Sequence, residues 1–78
     1  MNRVEYDDVC EVTNVKTGVT VTGEILNFRI KDHIVLTINR SVKLHMNWDE
    51  VVNLYIGRMA GMEFQSKGPK IHTYRTVR

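Results

Sequence analysis

Apolar and polar residues alternate along the first half of the chain, and a period of two predicts β-strands. The predicted strands are Val9–Val15, Val19–Phe28, His33–Asn39 and Val42–Met46. Val9–Val15 is rich in β-branched residues, as strands are. Short connections such as residues 40–41 leave room only for an antiparallel meander. In the third and fourth strands the inward-facing residues are predicted to be Ile34, Leu36, Ile38, Val42, Leu44 and Met46.

The second predicted strand changes its buried face partway along. Val19, Val21 and Ile25 share one face, whereas Leu26 and Phe28 lie on the other. Gly23 interrupts the strand, and glycine is typical of a bulge or a tight bend in a curved sheet. The pattern therefore predicts a strongly bent strand that serves two parts of a small, partly open barrel.

Residues 47–61 change to a helical period. Asn47 can act as an N-cap, Glu50 lies three residues later, and Gly61 can cap the C-terminus. We expect a short amphipathic helix here; a strand at Val51–Ile56 with a turn at residues 57–58 is the alternative. In both cases Met62–Ser66 is the last barrel strand. The apolar residues at helical spacing are Trp48, Val51, Val52, Tyr55, Ile56 and Met59, and we interpret the tryptophan and tyrosine as core or interface anchors rather than stacking platforms for bases.

The predicted fold class is therefore mostly β: a five-stranded, strongly bent antiparallel barrel of SH3-like type, with a short helix between its last two strands. Its domain covers residues 9–66. Residues 1–8 are expected to form a polar lead-in or one short helical turn. Residues 67–78 are expected to form a basic tail or an added edge strand.

Length and composition limit the domain count, the sources of stability and the expected cellular location. A chain of 78 residues makes one small domain, which buries only about 60% of its unfolded surface. Cys10 is the one cysteine, so no disulfide within the chain can add stability. No apolar run approaches the ~20 residues needed to span a bilayer, and the N-terminus lacks the apolar segment of a signal peptide. We therefore expect a cytoplasmic protein with no membrane partner. Open barrel edges without blunting charges favour strand addition between copies, and so a cyclic homo-oligomer.

Charge is distributed unevenly along the chain. The net charge is +2 overall, but residues 1–11 carry four acids and one base, a net −3. Residues 67–78 carry four bases and no acid, a net +4: Lys67, Lys70, Arg75 and Arg78. Such a tail is typical either of a polyanion-binding segment or of a solvated terminus, and the composition does not decide between them.

The sequence offers little for catalysis. The three histidines lie far apart, without the spacing of a metal site. No glycine-rich phosphate loop is present, and no nucleophile has a recognisable base beside it. We therefore expect a protein that is not an enzyme and needs no cofactor. The segment Arg29–His33 is better suited to binding, because two cations and an imidazole ring fit the phosphates and bases of single-stranded RNA.

The stretch Thr17–Leu36 resembles the first motif of the Sm-like (LSm and bacterial Hfq-type) proteins. That motif has a turn glycine, an apolar residue, a second glycine, an aliphatic residue and a phenylalanine, followed by a polar loop and an aliphatic strand. The matching residues here are Gly18, Val21, Gly23, Ile25, Phe28, Ile34, Val35 and Leu36. The chain departs from the motif at Arg29, where the family usually has an aspartate, and at His33, where many members have an asparagine. Leu54–Arg58 resembles the second motif only loosely, with its order inverted.

The resemblance implies a ring of bent barrels, roughly five to seven subunits, that binds single-stranded RNA or DNA without catalysis. It implies that the contacts come from Arg29, Lys31 and His33, and from Arg58 before the last strand. With the tail residues, the candidate nucleic-acid-binding set is Arg29, Lys31, His33, Arg58, Lys70, Arg75 and Arg78. The competing hypothesis is a structural or protein-interaction module of SH3-like type. Clustered cations favour the first hypothesis, and an exposed apolar patch favours the second.

Overall fold

The computed structural model describes the backbone of residues 2–75 and the side chains of residues 4–73. Six strands form a closed antiparallel barrel, and two more form a separate two-stranded sheet. The barrel strands are β2 (Val9–Asn14), β3 (Thr20–Arg29), β4 (His33–Ile38), β5 (Val42–Asp49), β6 (Leu54–Met59) and β7 (Met62–Ser66). The separate sheet pairs β1 (Asn2–Tyr6) with β8 (Ile71–Arg75).

The β-barrel class, the antiparallel meander and the inward faces of β4 and β5 are confirmed. Ile34, Leu36, Leu44 and Met46 are all buried. They pack with the remaining buried apolar residues, which are Cys10, Val12, Tyr55 and Phe64. Because alternate residues of a strand point to opposite faces, the four positions in β4 and β5 were readable from the period of two.

The barrel has six strands rather than the expected five, and it is closed rather than partly open. Thr13 and Asn14 of β2 pair with Gln65 and Phe64 of β7, which joins the first and last barrel strands. Beyond this short ladder, a side chain also links β7 to β2: the Ser66 hydroxyl donates a hydrogen bond to the backbone oxygen of Glu11 at 2.6 Å. Closure removes the free barrel edges on which the expectation of a ring was built.

The helix expected between the last two strands is wrong, and so are the bounds of the alternative strand at 51–56. β5 continues to Asp49, and β6 begins at Leu54. The Asp49 carboxylate accepts a hydrogen bond from the backbone nitrogen of Val51 at 2.8 Å. Asn53 then takes a positive φ of 57° and reverses the chain into β6. Asn47, the predicted N-cap, lies in β5 opposite Ile56, and Glu50 lies in the turn. Trp48 and Tyr55 pair across β5 and β6.

The irregularity in the second predicted strand lies at Leu26 and not at Gly23, where the sequence placed the bend. The register between β3 and β4 shifts between Ile25 and Asn27, so Leu26 is the bulged residue. A bulge inserts one residue and thereby resets which side chains point inward. Ile25 and Phe28 both pack against the core for this reason, whereas Leu26 is exposed.

The two chain ends pair with each other. Residues 2–6, expected to be a polar lead-in or a helical turn, form β1 instead. Residues 71–75 form a strand, as one of the two alternatives for the tail proposed, but they pair with β1 and not with the barrel. Within the described residues, no helix is long and apolar enough to cross a membrane.

Candidate nucleic-acid interface

One end of the barrel brings together three connections between strands. In an antiparallel barrel alternate connections lie at the same end, and residues 30–32, 50–53 and 67–70 form what we call the aromatic end. Two hydrogen bonds and one close approach show that these connections lie near one another. The Trp48 backbone nitrogen donates to the Asp32 backbone oxygen at 2.9 Å. The Lys31 backbone nitrogen donates to the Tyr55 hydroxyl at 2.9 Å. A β-carbon added at Gly68 would lie 2.9 Å from the Tyr55 ring.

Four aromatic rings cross this end in a row. Tyr6 packs edge-on against Phe28, with ring centroids 4.7 Å apart. Phe28 contacts Tyr55 at 6.0 Å, and Tyr55 contacts Trp48 at 4.9 Å. Tyr55 is buried, in agreement with its interpretation as a core anchor, whereas Tyr6 keeps 43% of its surface exposed. The row therefore has a buried centre and an accessible outer ring.

Arg29, Lys31 and His33 lie together at the β3–β4 connection: Arg29 ends β3, Lys31 lies in the connection and His33 begins β4. An acid of the same segment moderates their charge. The Asp32 carboxylate lies 3.7 Å from Arg29 Nε and 3.3 Å from His33 Nδ1. The Arg29 side chain remains 77% exposed, so this ion pair is strongly screened and leaves the guanidinium accessible.

Lys70 lies in the connection 67–70, whose other lysine is Lys67, and both are exposed. The two lysines also line a groove of about 640 Å³ beside β2, together with Asp7 and Glu11. A volume of this size falls within the range of small-ligand sites. The same connection packs on Tyr55 through Gly68. Two basic connections therefore flank one tyrosine.

The remaining predicted site residues lie elsewhere. Arg58 lies two residues before the β6–β7 turn, toward the opposite end of the barrel, and pairs with Glu63 at 3.3 Å. Arg75 lies in β8 opposite Asn2. Arg78 lies outside the described residues. The structure thus gathers four of the seven candidates: Arg29, Lys31, His33 and Lys70.

Sequence reasoning missed the aromatic row. Tyr6 stands in a polar segment far from Phe28 in the chain, and its contact depends on the pairing of β1 with β8. No local pattern indicates such a contact. The phenylalanine was placed correctly in a bent strand, but the bulge that turns it inward is a property of the β3–β4 register.

The remaining candidate chemistry is a metal site or a nucleophile. Among the side chains that the structure describes, those of residues 4–73, no group of three from histidine, cysteine, aspartate and glutamate could hold a metal ion. Burial raises the pKa of the Cys10 thiol, and its hydrogen bond with Ser66 offsets part of that effect. A buried thiol with a raised pKa is a poor nucleophile.

Comparison with protein-family models, with curated proteins and with solved structures finds no match for this chain.

Proposed function

We propose that this protein binds single-stranded RNA or DNA at the aromatic end, without catalysis, and serves nucleic-acid processing or regulation. The observation that carries the proposal is the convergence of two basic connections on Tyr55. The backbone N–H of Lys31 donates a hydrogen bond to the Tyr55 hydroxyl. The connection that contains Lys67 and Lys70 packs against the Tyr55 ring. Tyr55 itself is buried, and Tyr6 is the accessible ring at the outer end of the same aromatic row. Cations beside an accessible ring are what proteins use to hold single strands.

In this proposal the cations contact phosphates and the outer rings stack on bases. Arg29, Lys31, Lys67 and Lys70 supply the positive charge. Tyr6 supplies an accessible ring, and His33 supplies a second, with about a third of its side chain exposed. Stacking on an aromatic side chain is worth ~1–3 kcal/mol per base and tolerates any sequence. We therefore expect binding with little base preference.

Asp32 sets the strength of the interaction. It lies within ion-pair distance of Arg29 and His33, so an incoming phosphate competes with this carboxylate. Competition lowers affinity, and each phosphate contact that forms makes binding depend on salt. The arginine in place of the acid that Sm-like proteins usually carry has the opposite effect on affinity, because it adds a cation to the loop.

The ring of roughly five to seven subunits stays a prediction. The Sm-like resemblance of Thr17–Leu36 supports it, but barrel closure through β2 and β7 means that such a ring would need edges other than those of an open barrel.

A protein-interaction module remains the second candidate, and one observation favours it. Val51 is 91% exposed at the tip of the β5–β6 connection, and its neighbour Val52 is also exposed. The turn is held by Asp49, so this apolar tip is presented in a defined conformation. A partner with an apolar pocket would bury it.

The discriminating experiment compares two matched arginines. Arg29→Glu changes the aromatic end, and Arg40→Glu makes the same change at the opposite end; both arginines are exposed and paired with an exposed acid. Fluorescence anisotropy with a mixed-sequence labelled oligonucleotide measures affinity over a range of salt. We expect Arg29→Glu alone to weaken binding and to reduce the log–log salt slope by about 0.7, the value for one phosphate contact on a single strand. Equal effects of the two variants, or no binding by the parent, would refute the proposal.

A further inference from the structure

The β1–β8 sheet is an arm that extends from the barrel. The Cα trace measures 52 Å along its longest axis and 18 Å along its shortest. Among the described strands, β1 and β8 pair only with each other, so each has an outer edge without a strand beside it. A two-stranded sheet is marginally stable in water, and three or more strands are the usual requirement. The arm therefore presents backbone groups that a further strand can pair with.

One face of the arm is also apolar and partly exposed, although Tyr6 on this face packs against Phe28. Val4 and Tyr6 point to the same face because they are two residues apart, and Ile71 lies opposite Tyr6 in the ladder. Their exposed fractions are 64%, 43% and 42%. A strand added at the edge of β1 would extend this face and bury part of it.

We propose that the outer edge of β1 pairs with β1 of a second copy, antiparallel and about a two-fold axis at Val4. The result is a continuous four-stranded sheet in the order β8, β1, β1′, β8′, where primes mark the second copy. This register places Val4 opposite Val4′ and Arg3 opposite Glu5′. By symmetry it also places Glu5 opposite Arg3′, so positions of opposite charge face each other twice.

The neighbouring registers are unfavourable. A two-fold axis perpendicular to a sheet keeps each side chain on its own face, so one residue must lie opposite its own copy. An axis at Arg3 opposes two arginines, and an axis at Glu5 opposes two glutamates. Like charges directly opposite are destabilising, whereas opposite charges stabilise the pairing. The Val4 register is therefore selected by charge.

The edge of β8 lacks this complementarity. A two-fold axis at Thr73 opposes His72 with Tyr74′ and Ile71 with Arg75′, which brings no acid opposite a base. Pairing β1 with β8′ instead would be heterologous and would produce a ring or a filament. Mass and cross-linking distinguish these arrangements.

A cysteine at the proposed axis gives a direct test. Directly opposite residues in antiparallel strands have Cα atoms about 4.5–5.5 Å apart, which suits a disulfide. Cys10 is buried, so Val4→Cys introduces the accessible thiol. We expect mild oxidation to give a covalent dimer. The control is Thr73→Cys, which lies opposite Val4 on the far strand and about 14 Å from its own copy, three strand spacings away. It should stay monomeric on a denaturing gel. Equal cross-linking of the two variants, or none with Val4→Cys, would overturn the proposal.

Charge exchange tests the register without a disulfide. Arg3→Glu and Glu5→Arg each place like charges opposite each other, so each variant alone should shift to the monomer mass in light scattering. Mixed in equal amounts, they should form a heterodimer, because one chain then carries an acid at both positions and the other carries a base at both. Trp48 fluorescence confirms that the barrel is folded in each variant. A parent that is monomeric, or a mixture that stays monomeric, would contradict the two-fold register. A parent with the mass of a larger ring would also contradict it and would support the competing prediction of a cyclic oligomer.

Discussion

Substitution of Gly57 by alanine distinguishes strand β6 from the helix expected over residues 47–61. The two structures predict changes of opposite sign in the free energy of unfolding. Gly57 lies in β6 beside β5, with no positive φ. A β-carbon at this position would lie 2.5 Å from the His45 backbone oxygen and 2.9 Å from Met46 Cγ. The oxygen belongs to the neighbouring strand and cannot rotate away. Gly57→Ala therefore forces β5 and β6 apart by roughly half an ångström to restore a 3.0 Å contact.

Overpacking of this kind costs about 1–3 kcal/mol. For a domain of this size each 1 kcal/mol lowers the melting temperature by about 4–8 °C, so a loss of about 2 kcal/mol corresponds to about 8–16 °C. In a helix the same substitution would raise stability by about 0.5–1 kcal/mol, because alanine is the better helix former. The two structures thus predict opposite shifts.

Thermal unfolding by circular dichroism and urea unfolding followed by Trp48 fluorescence measure the effect. Trp48 packs on Tyr55, so its emission reports on the barrel. Gly23→Ala is the matched control: its added carbon meets a terminal methyl of Leu36 at 2.8 Å, which can move more easily than backbone. We expect a smaller loss there. A melting temperature of Gly57→Ala equal to or above that of the parent would refute the β5–β6 packing.

Three further substitutions or conditions test the aromatic end and the core. Tyr55→Phe removes the acceptor of the Lys31 backbone nitrogen and should lower the free energy of unfolding by about 1 kcal/mol; unchanged urea unfolding would contradict this role. Asp32→Asn removes the competing carboxylate, so oligonucleotide affinity by anisotropy should rise, and lower or equal affinity would argue against a phosphate site here. Cys10 should react with a disulfide reagent at pH 8 more slowly than a free thiol. Because burial raises its pKa, stability should fall as pH rises past about 9, where the unfolded thiol ionises first; a flat pH profile would contradict this.

The alternation of apolar residues determined the barrel walls before any tertiary contact was known. Ile34, Leu36, Leu44 and Met46 are buried where the period of two placed them. Short connections determined the antiparallel order, since no crossover fits in two or three residues. The loop cations Arg29 and Lys31 were also readable, because charged residues between two apolar strands belong to a connection.

Tertiary structure alone decided what happens between residues 47 and 61. The local signals of a helix are present, yet the packing of Trp48 against Tyr55 and the close approach of Gly57 to β5 require strands. Propensity amounts to a fraction of a kcal/mol per residue, whereas burial of an aromatic side chain is worth about 1.5–3 kcal/mol. Packing therefore outweighs the local preference.

Barrel closure, the β1–β8 arm and the aromatic row share one physical cause. Each depends on contacts between residues remote in the chain: Thr13 with Gln65, Glu5 with His72, and Tyr6 with Phe28. A periodic pattern shows which face of a strand is apolar but not which strand lies beside it. The sequence by itself therefore determined the strands and their inward faces, and the tertiary structure decided how the two ends of the chain meet and which side chains gather at the aromatic end.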